Sequence, residues 1–156
     1  MNHLHPPIDN TEFVIELIPQ KQPFVMVDKL LHFSENKIIS GLTIKDSNLF
    51  YSQNTFLEPG LIENMAQTVA MHKGYTYYLK NEPAPVGYIG AIKKAEIFEL
   101  PKLGSELVTT VTILHDIMGV TLVEAKVECD EKLIAVSEIK PLWLRSYGKG
   151  WAKNRH

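Results

Sequence analysis

The stretch from Leu61 to Leu79 is apolar on most of its helical faces, and a helix that is hydrophobic nearly all round has to be enclosed. Pro59-Gly60 marks its start, and Pro83 and Pro85 break the chain beyond it. Ala66, Ala70 and Gly74 recur every four residues, a small-residue stripe that admits close approach by a strand or another backbone. Enclosure calls for a sheet curved around the helix, and the remaining sequence supplies strands. Residues 24–33 and 37–44 flank Ser34-Glu35-Asn36 and predict a hairpin. After the helix come 86–98, 106–114, 120–129 and 133–144, separated by Pro101-Lys102-Leu103-Gly104-Ser105, Ile117-Met118-Gly119 and Asp130-Glu131-Lys132. A hairpin, one helix and a four-strand antiparallel meander predict an α+β fold. A short capped helix over 12–17, opened by Asp9-Asn10-Thr11 and stopped by Pro19, precedes them.

One position in the helix breaks the apolar rule. Glu63 puts a carboxyl one turn in, where burial is rare unless the group is paired or used. A carboxyl held out of water exchanges protons nearer neutral pH. Gln67 follows at i+4 on the same face and can orient it. The amides of Gly60, Leu61 and Ile62, just after the turn, can polarise a substrate oxygen. The plainer alternative is an acid that complements the helix dipole beside a solvated Gln.

Glu63-Asn64-Met65-Ala66-Gln67 resembles the Glu-Ala-Met-Ala-Gln signature of the 3-hydroxyacyl-[acyl-carrier-protein] dehydratases, which have a hotdog fold. Upstream, Leu17-Ile18-Pro19-Gln20-Lys21-Gln22-Pro23-Phe24-Val25-Met26-Val27-Asp28-Lys29 is similar to that family's Leu-Leu-Pro-His-Arg-x-Pro-Phe-Leu-Leu-Val-Asp-Arg leading segment. The resemblance covers roughly 10–146. It departs where the family carries a Gly-His-Phe-Pro segment, whose His works opposite the helix acid. Here the stretch reads Asn48-Leu49-Phe50-Tyr51-Ser52-Gln53-Asn54-Thr55-Phe56, with Asn54, or Gln53 after a one-residue slip, at the His position. Neither side chain shuttles protons at neutral pH. The pattern is closer to the dehydratase-like proteins of aryl-polyene and flexirubin-type pigment clusters, which keep the leading segment and the Glu-x-Met-Ala-Gln helix and can work beside a second dehydratase subunit.

The resemblance implies a curved antiparallel sheet around a long central helix. It implies a symmetric homodimer or a heterodimer with a second dehydratase-like subunit, and a substrate carried on acyl carrier protein. In its terms Glu63 is the acid/base, Asn54 positions the hydroxyl, and Gly60 to Ile62, Gln67, Gln53 and Tyr51 contact the substrate. No cofactor is called for. Two other functions share these residues: a hotdog thioesterase using Glu63, and a non-catalytic acyl-binding subunit of a heteromeric dehydratase.

Other readings follow from composition and placement. At 156 residues and a net charge of −2 the chain predicts one soluble domain, and it lacks the basic excess of a nucleic-acid binder. The single cysteine, Cys129, fits strand packing and a reducing cytoplasm. No apolar run approaches the roughly 20 residues of a membrane span, and no signal-peptide layout opens the chain. The histidines form no metal-ligand spacing, and His72, nine residues after Glu63, falls on the opposite helix face as a surface or interface group. Asp28 pairs with a backbone amide or with Lys29. Residues 1–9 are expected to be a flexible start, 10–146 the domain, and 147–156 a basic tail.

Overall fold

The computed structural model describes residues 7–143. The expected tail of 147–156 lies outside them, as does most of the expected flexible start. Helix α1 spans Thr11–Glu16, and the Asn10 side chain caps it by accepting from the Phe13 N–H at 3.2 Å. Strands β1 (Lys29–Ser34) and β2 (Lys37–Thr43) form the first hairpin; two short strands, β3 (Tyr51–Ser52) and β4 (Thr55–Phe56), make a second. Helix α2 runs from Glu58 to Leu79, and strands β5 (Gly87–Ile97), β6 (Glu106–Ile117), β7 (Val120–Cys129) and β8 (Lys132–Trp143) complete the chain.

The six-stranded antiparallel sheet has the order β1-β2-β6-β7-β8-β5. This corrects the expected four-strand meander: β6, β7 and β8 are consecutive neighbours, but β5 does not pair with β6. Helix α2 carries the chain across the sheet, so β5 enters at the far edge beside β8, while β2 pairs with β6 in the middle. The result is one long helix packed on one face of a sheet.

The two edges differ. Ile8 exchanges both backbone hydrogen bonds with Leu30 at 2.8 Å and partly covers β1, so ordered pairing begins inside the stretch expected to be flexible. β5 pairs only with β8 among the described strands, leaving an open edge.

The interior contains Met26, Leu30, Ile38, Phe56, Leu61, Met65, Met71, Leu107, Ile134 and Ile139, all nearly inaccessible. The helix is less uniformly apolar than its sequence reads, because a polar seam runs along it at i+4 spacing. Asn64 Nδ2 donates to Met26 O at 2.7 Å, and Thr109 Oγ1 donates to Asn64 Oδ1 at 2.5 Å. Thr68 Oγ1 donates to Asn64 O at 2.7 Å; its one hydrogen is then committed, so Ser40 must be the donor in the 2.7 Å Ser40–Thr68 contact. His72 Nε2 meets Ser34 O at 2.9 Å, and its ring stacks on Phe33. His72 is therefore buried rather than a surface group, and burial lowers its pKa from the ordinary 6.5. It does face away from Glu63. Satisfied in this way, the seam fixes both the rotation and the register of α2 against β2, β6 and the leading segment.

The small-residue stripe divides its work. A Cβ at Gly74 would lie 1.9 Å from the Leu17 carbonyl oxygen, so glycine there lets the end of α1 touch the helix. Ala66 and Ala70 instead leave room, and a cavity occupies it. Asp28 behaves as expected: Oδ2 accepts from the Thr43 N–H at 3.0 Å and Oδ1 pairs with Lys29 at 2.9 Å.

Candidate active site

Glu63 lines a cavity of about 220 Å³ between the first half of α2 and the ends of β5 and β8, walled also by Gln20, Ala66, Gly87, Ile89 and Trp143. Gln67, fully buried one turn on, holds its carboxylate. Gln67 Oε1 accepts from the Met26 N–H at 2.6 Å; Nε2 donates to Phe24 O and to Glu63 Oε2, each at 2.8 Å. The Met26 N–H can only donate, so the oxygen end of the amide must face it and the NH₂ end must face Glu63. One carboxylate oxygen is thus fixed as an acceptor. Oε1 is engaged by none of the hydrogen bonds among the described residues and is the oxygen free to carry a proton to or from a ligand.

This clamp explains the leading segment. Its backbone at Phe24 and Met26 supplies three of the atoms that hold α2's polar side chains: Phe24 O, Met26 N and Met26 O. The segment orients the acid from across the core. Asn64, which the sequence reading passed over, works with Gln67 on the same backbone; two amide side chains three residues apart in an otherwise apolar helix were the available signal. Gln20 was passed over too. Its Oε1 is a buried oxygen without a hydrogen-bond partner among the described residues, at the wall of the Glu63 cavity.

Other expected site residues lie elsewhere. The helix begins at Glu58, a turn earlier than expected, because Pro59 is favoured at the opening of a helix. The Gly60 N–H donates to Leu57 O at 2.9 Å and that of Leu61 to the same oxygen at 3.3 Å, so both amides are consumed by the helix. Gly60 and Leu61 are buried, and a Cβ at Gly60 would stand 2.4 Å from the Phe56 ring. Neither residue lines the cavity around Glu63. Ile62 is half-buried against the core. Gln53 and Asn54 form the two-residue tip of the β3–β4 hairpin, both at positive φ (50° and 67°), both exposed. Neither they nor Tyr51, which packs against the core, lines the cavity of the same chain. Glu63 is the one titratable side chain among the described residues that does. Among those residues no cluster of His, Cys, Asp or Glu has metal-binding geometry, and no helix is long and apolar enough to cross a membrane.

A family model described as ApeP-like, ApeP dehydratase, matches residues 13–142. The chain belongs to the ApeP-like dehydratase family. It is 28% identical over 136 residues to the 3-hydroxyacyl-[acyl-carrier-protein] dehydratase FabZ of Desulfotalea psychrophila, covering 81% of this chain and 87% of that one. It is 29% identical over 136 residues to FabZ of Klebsiella pneumoniae, covering 79% and 89%. Among solved structures the fold matches the dehydratase heterocomplex ApeI:P of Xenorhabdus doucetiae with a TM-score of 0.77 at 18% identity, over 90% of this chain and 97% of that one. A thioesterase-like protein with coenzyme A from Streptococcus pneumoniae matches at 0.63 and 8% identity, over 88% and 97%. The fold is a hotdog, and the protein is dehydratase-like.

Proposed function

We propose that this chain contributes the carboxylate half of a two-subunit dehydratase acting on 3-hydroxyacyl thioesters carried by acyl carrier protein. The observation that carries this reading is the clamp on Glu63: a carboxylate in a largely apolar cavity, one oxygen fixed by Gln67 and the other free. In the reaction a base removes the C2 proton, the C3–O bond breaks, and an acid protonates the departing hydroxyl. The products are a 2-enoyl thioester and water. Glu63 Oε1 serves as one of these groups. Because Glu63 is the one titratable side chain among the described residues that lines its own cavity, a partner subunit supplies the second.

The open edge of β5 supports the position of that partner. Gly87 and Ile89 belong both to this edge strand and to the cavity wall, so a subunit that extends the sheet there stands beside Glu63. Any contribution of Asn54 or Gln53 to catalysis is made, on this reading, to a second subunit's site. The FabZ relatives motivate the carrier-bound substrate, and the ApeI:P heterocomplex the unlike partner.

The test is to incubate the protein, alone and with its dehydratase partner, with 3-hydroxyacyl-carrier protein and follow intact mass. Loss of one water from the carrier-bound species in the mixture supports the proposal. Release of free acid with bare carrier points to the thioesterase, and no change in either sample refutes both.

A further inference from the structure

A second cavity, of about 580 Å³, lies along the later turns of α2, on the side towards β6 and β7. Its inner walls include Phe33, Val111, Ile113 and Val123, and Lys73, Asp116 and Thr121 also line it. Val69, Pro141 and Trp143 line both this cavity and the Glu63 cavity. The Trp143 ring therefore forms part of a shared wall. Two contacts fix it there. A Cβ at Gly87, its partner across the β5–β8 pair, would come within 2.1 Å of the indole Cζ3, so glycine makes the space the ring occupies. The Lys73 ammonium sits over the indole at 5.1 Å from its centroid.

Size gives this wall a consequence. A cavity of 220 Å³ holds only about seven groups the size of a water molecule, which take roughly 30 Å³ each. A thioester carbonyl, the hydroxyl carbon and a few methylenes fill it. A longer acyl chain has to leave it, and the larger cavity beyond Trp143, mostly apolar but with Glu35, His72 and Lys80 also on its walls, gives that chain a path along α2. From Glu63 to Lys73 the helix advances about 15 Å.

We propose that the two cavities form one acyl channel, that the larger takes the distal part of a long acyl chain, and that Trp143 is the specificity-determining divider between them. This rests on the dehydratase reading and names the substrate class of the same site. A short chain is accommodated with the indole in place, whereas a long chain displaces the ring from Gly87 and from the Lys73 ammonium.

The experiment uses the protein with its dehydratase partner, and 3-hydroxybutyryl and 3-hydroxydodecanoyl pantetheine as substrates. Trp143→Ala should raise the long-to-short ratio of kcat/KM by roughly tenfold, the order set by two more freely buried methylenes. Ile113→Trp, which narrows the larger cavity, should lower that ratio. Ratios within twofold of wild type in both variants overturn the proposal. A second readout is independent of turnover and of the stability of Trp143→Ala. With Trp151→Phe in the background, Trp143 is the remaining tryptophan of this chain, and its fluorescence should respond more strongly to the dodecanoyl ligand, which displaces the ring, than to the butyryl one, which touches it in place. An identical response to both also overturns the proposal. Chain-length-dependent fluorescence without turnover of either substrate would sink the dehydratase reading and leave the channel standing.

Discussion

Replacing Gln67 by Leu separates orientation from simple filling of the core. The two side chains have similar volume, so the change removes hydrogen bonds more than packing. It orphans the Met26 N–H, in a fully buried residue, together with the part-buried Phe24 O, and it releases Glu63 Oε2. An unsatisfied buried donor costs about 1–3 kcal/mol, and a partly solvated carbonyl less. The fold should therefore lose about 2–4 kcal/mol, which lowers Tm by roughly 5–12 °C for a domain of this size. With Glu63 free to rotate, kcat should fall by about 10²-fold, the order of loss for a catalytic group misplaced by about 1 Å, while KM changes little. The assay is steady-state dehydration of a carrier-bound 3-hydroxyacyl substrate by the two-subunit complex, at a temperature where circular dichroism shows the variant folded. A Gln67→Leu variant that loses stability but keeps wild-type kcat would refute the orienting role and reduce Gln67 to a structural peg.

Two further substitutions test the buried polar groups. His72 is buried against Ser34 O and Phe33 with its pKa below 6.5, so the unfolded chain binds a proton that the native state resists, and stability falls as pH drops below about 6.5. Urea titrations at pH 7 and 5 should show His72→Gln losing less stability than wild type between them, within the limiting slope of about 1.4 kcal/mol per pH unit; equal losses would contradict this. Gln20→Met removes an unpartnered buried oxygen and should raise the urea midpoint by the equivalent of about 1 kcal/mol. An unchanged or lower midpoint would show that the oxygen is satisfied.

What could be read from the sequence divides along physical lines. Periodicity and turn chemistry report local states, so α1, α2, the first hairpin and the four long strands were legible. The Glu63–Gln67 pair was too, because i+4 spacing alone puts both on one face. Neighbour relations were not: the pattern of β5 shows a strand but not that it docks beside β8 instead of β6. The amides of Gly60 and Leu61 were misjudged because the helix starts at Glu58, a boundary set by Pro59 and the Phe56 ring. The stretch from Asn48 to Phe56 read as the counterpart of the family's histidine segment, yet its Gln53-Asn54 turn closes a small exposed hairpin. Asn64 went unvalued, and His72 was expected at the surface or an interface, because their partners, Met26 O, Thr109 and Ser34 O, are distant in sequence.

The central claim is that the Glu63 carboxylate moves a proton in the reaction. Glu63→Gln keeps the shape and can keep a contact with Gln67, but it cannot exchange protons at neutral pH. The decisive measurement compares wild-type and Glu63→Gln protein, each assembled with the same partner subunit, on a 3-hydroxyacyl-carrier protein followed by intact mass. The account predicts loss of water from the carrier-bound substrate with wild type and a rate lower by about 10²–10⁴-fold with the variant at unchanged complex stability. A Glu63→Gln complex that dehydrates as fast as wild type would contradict it and leave the chain as a supporting subunit.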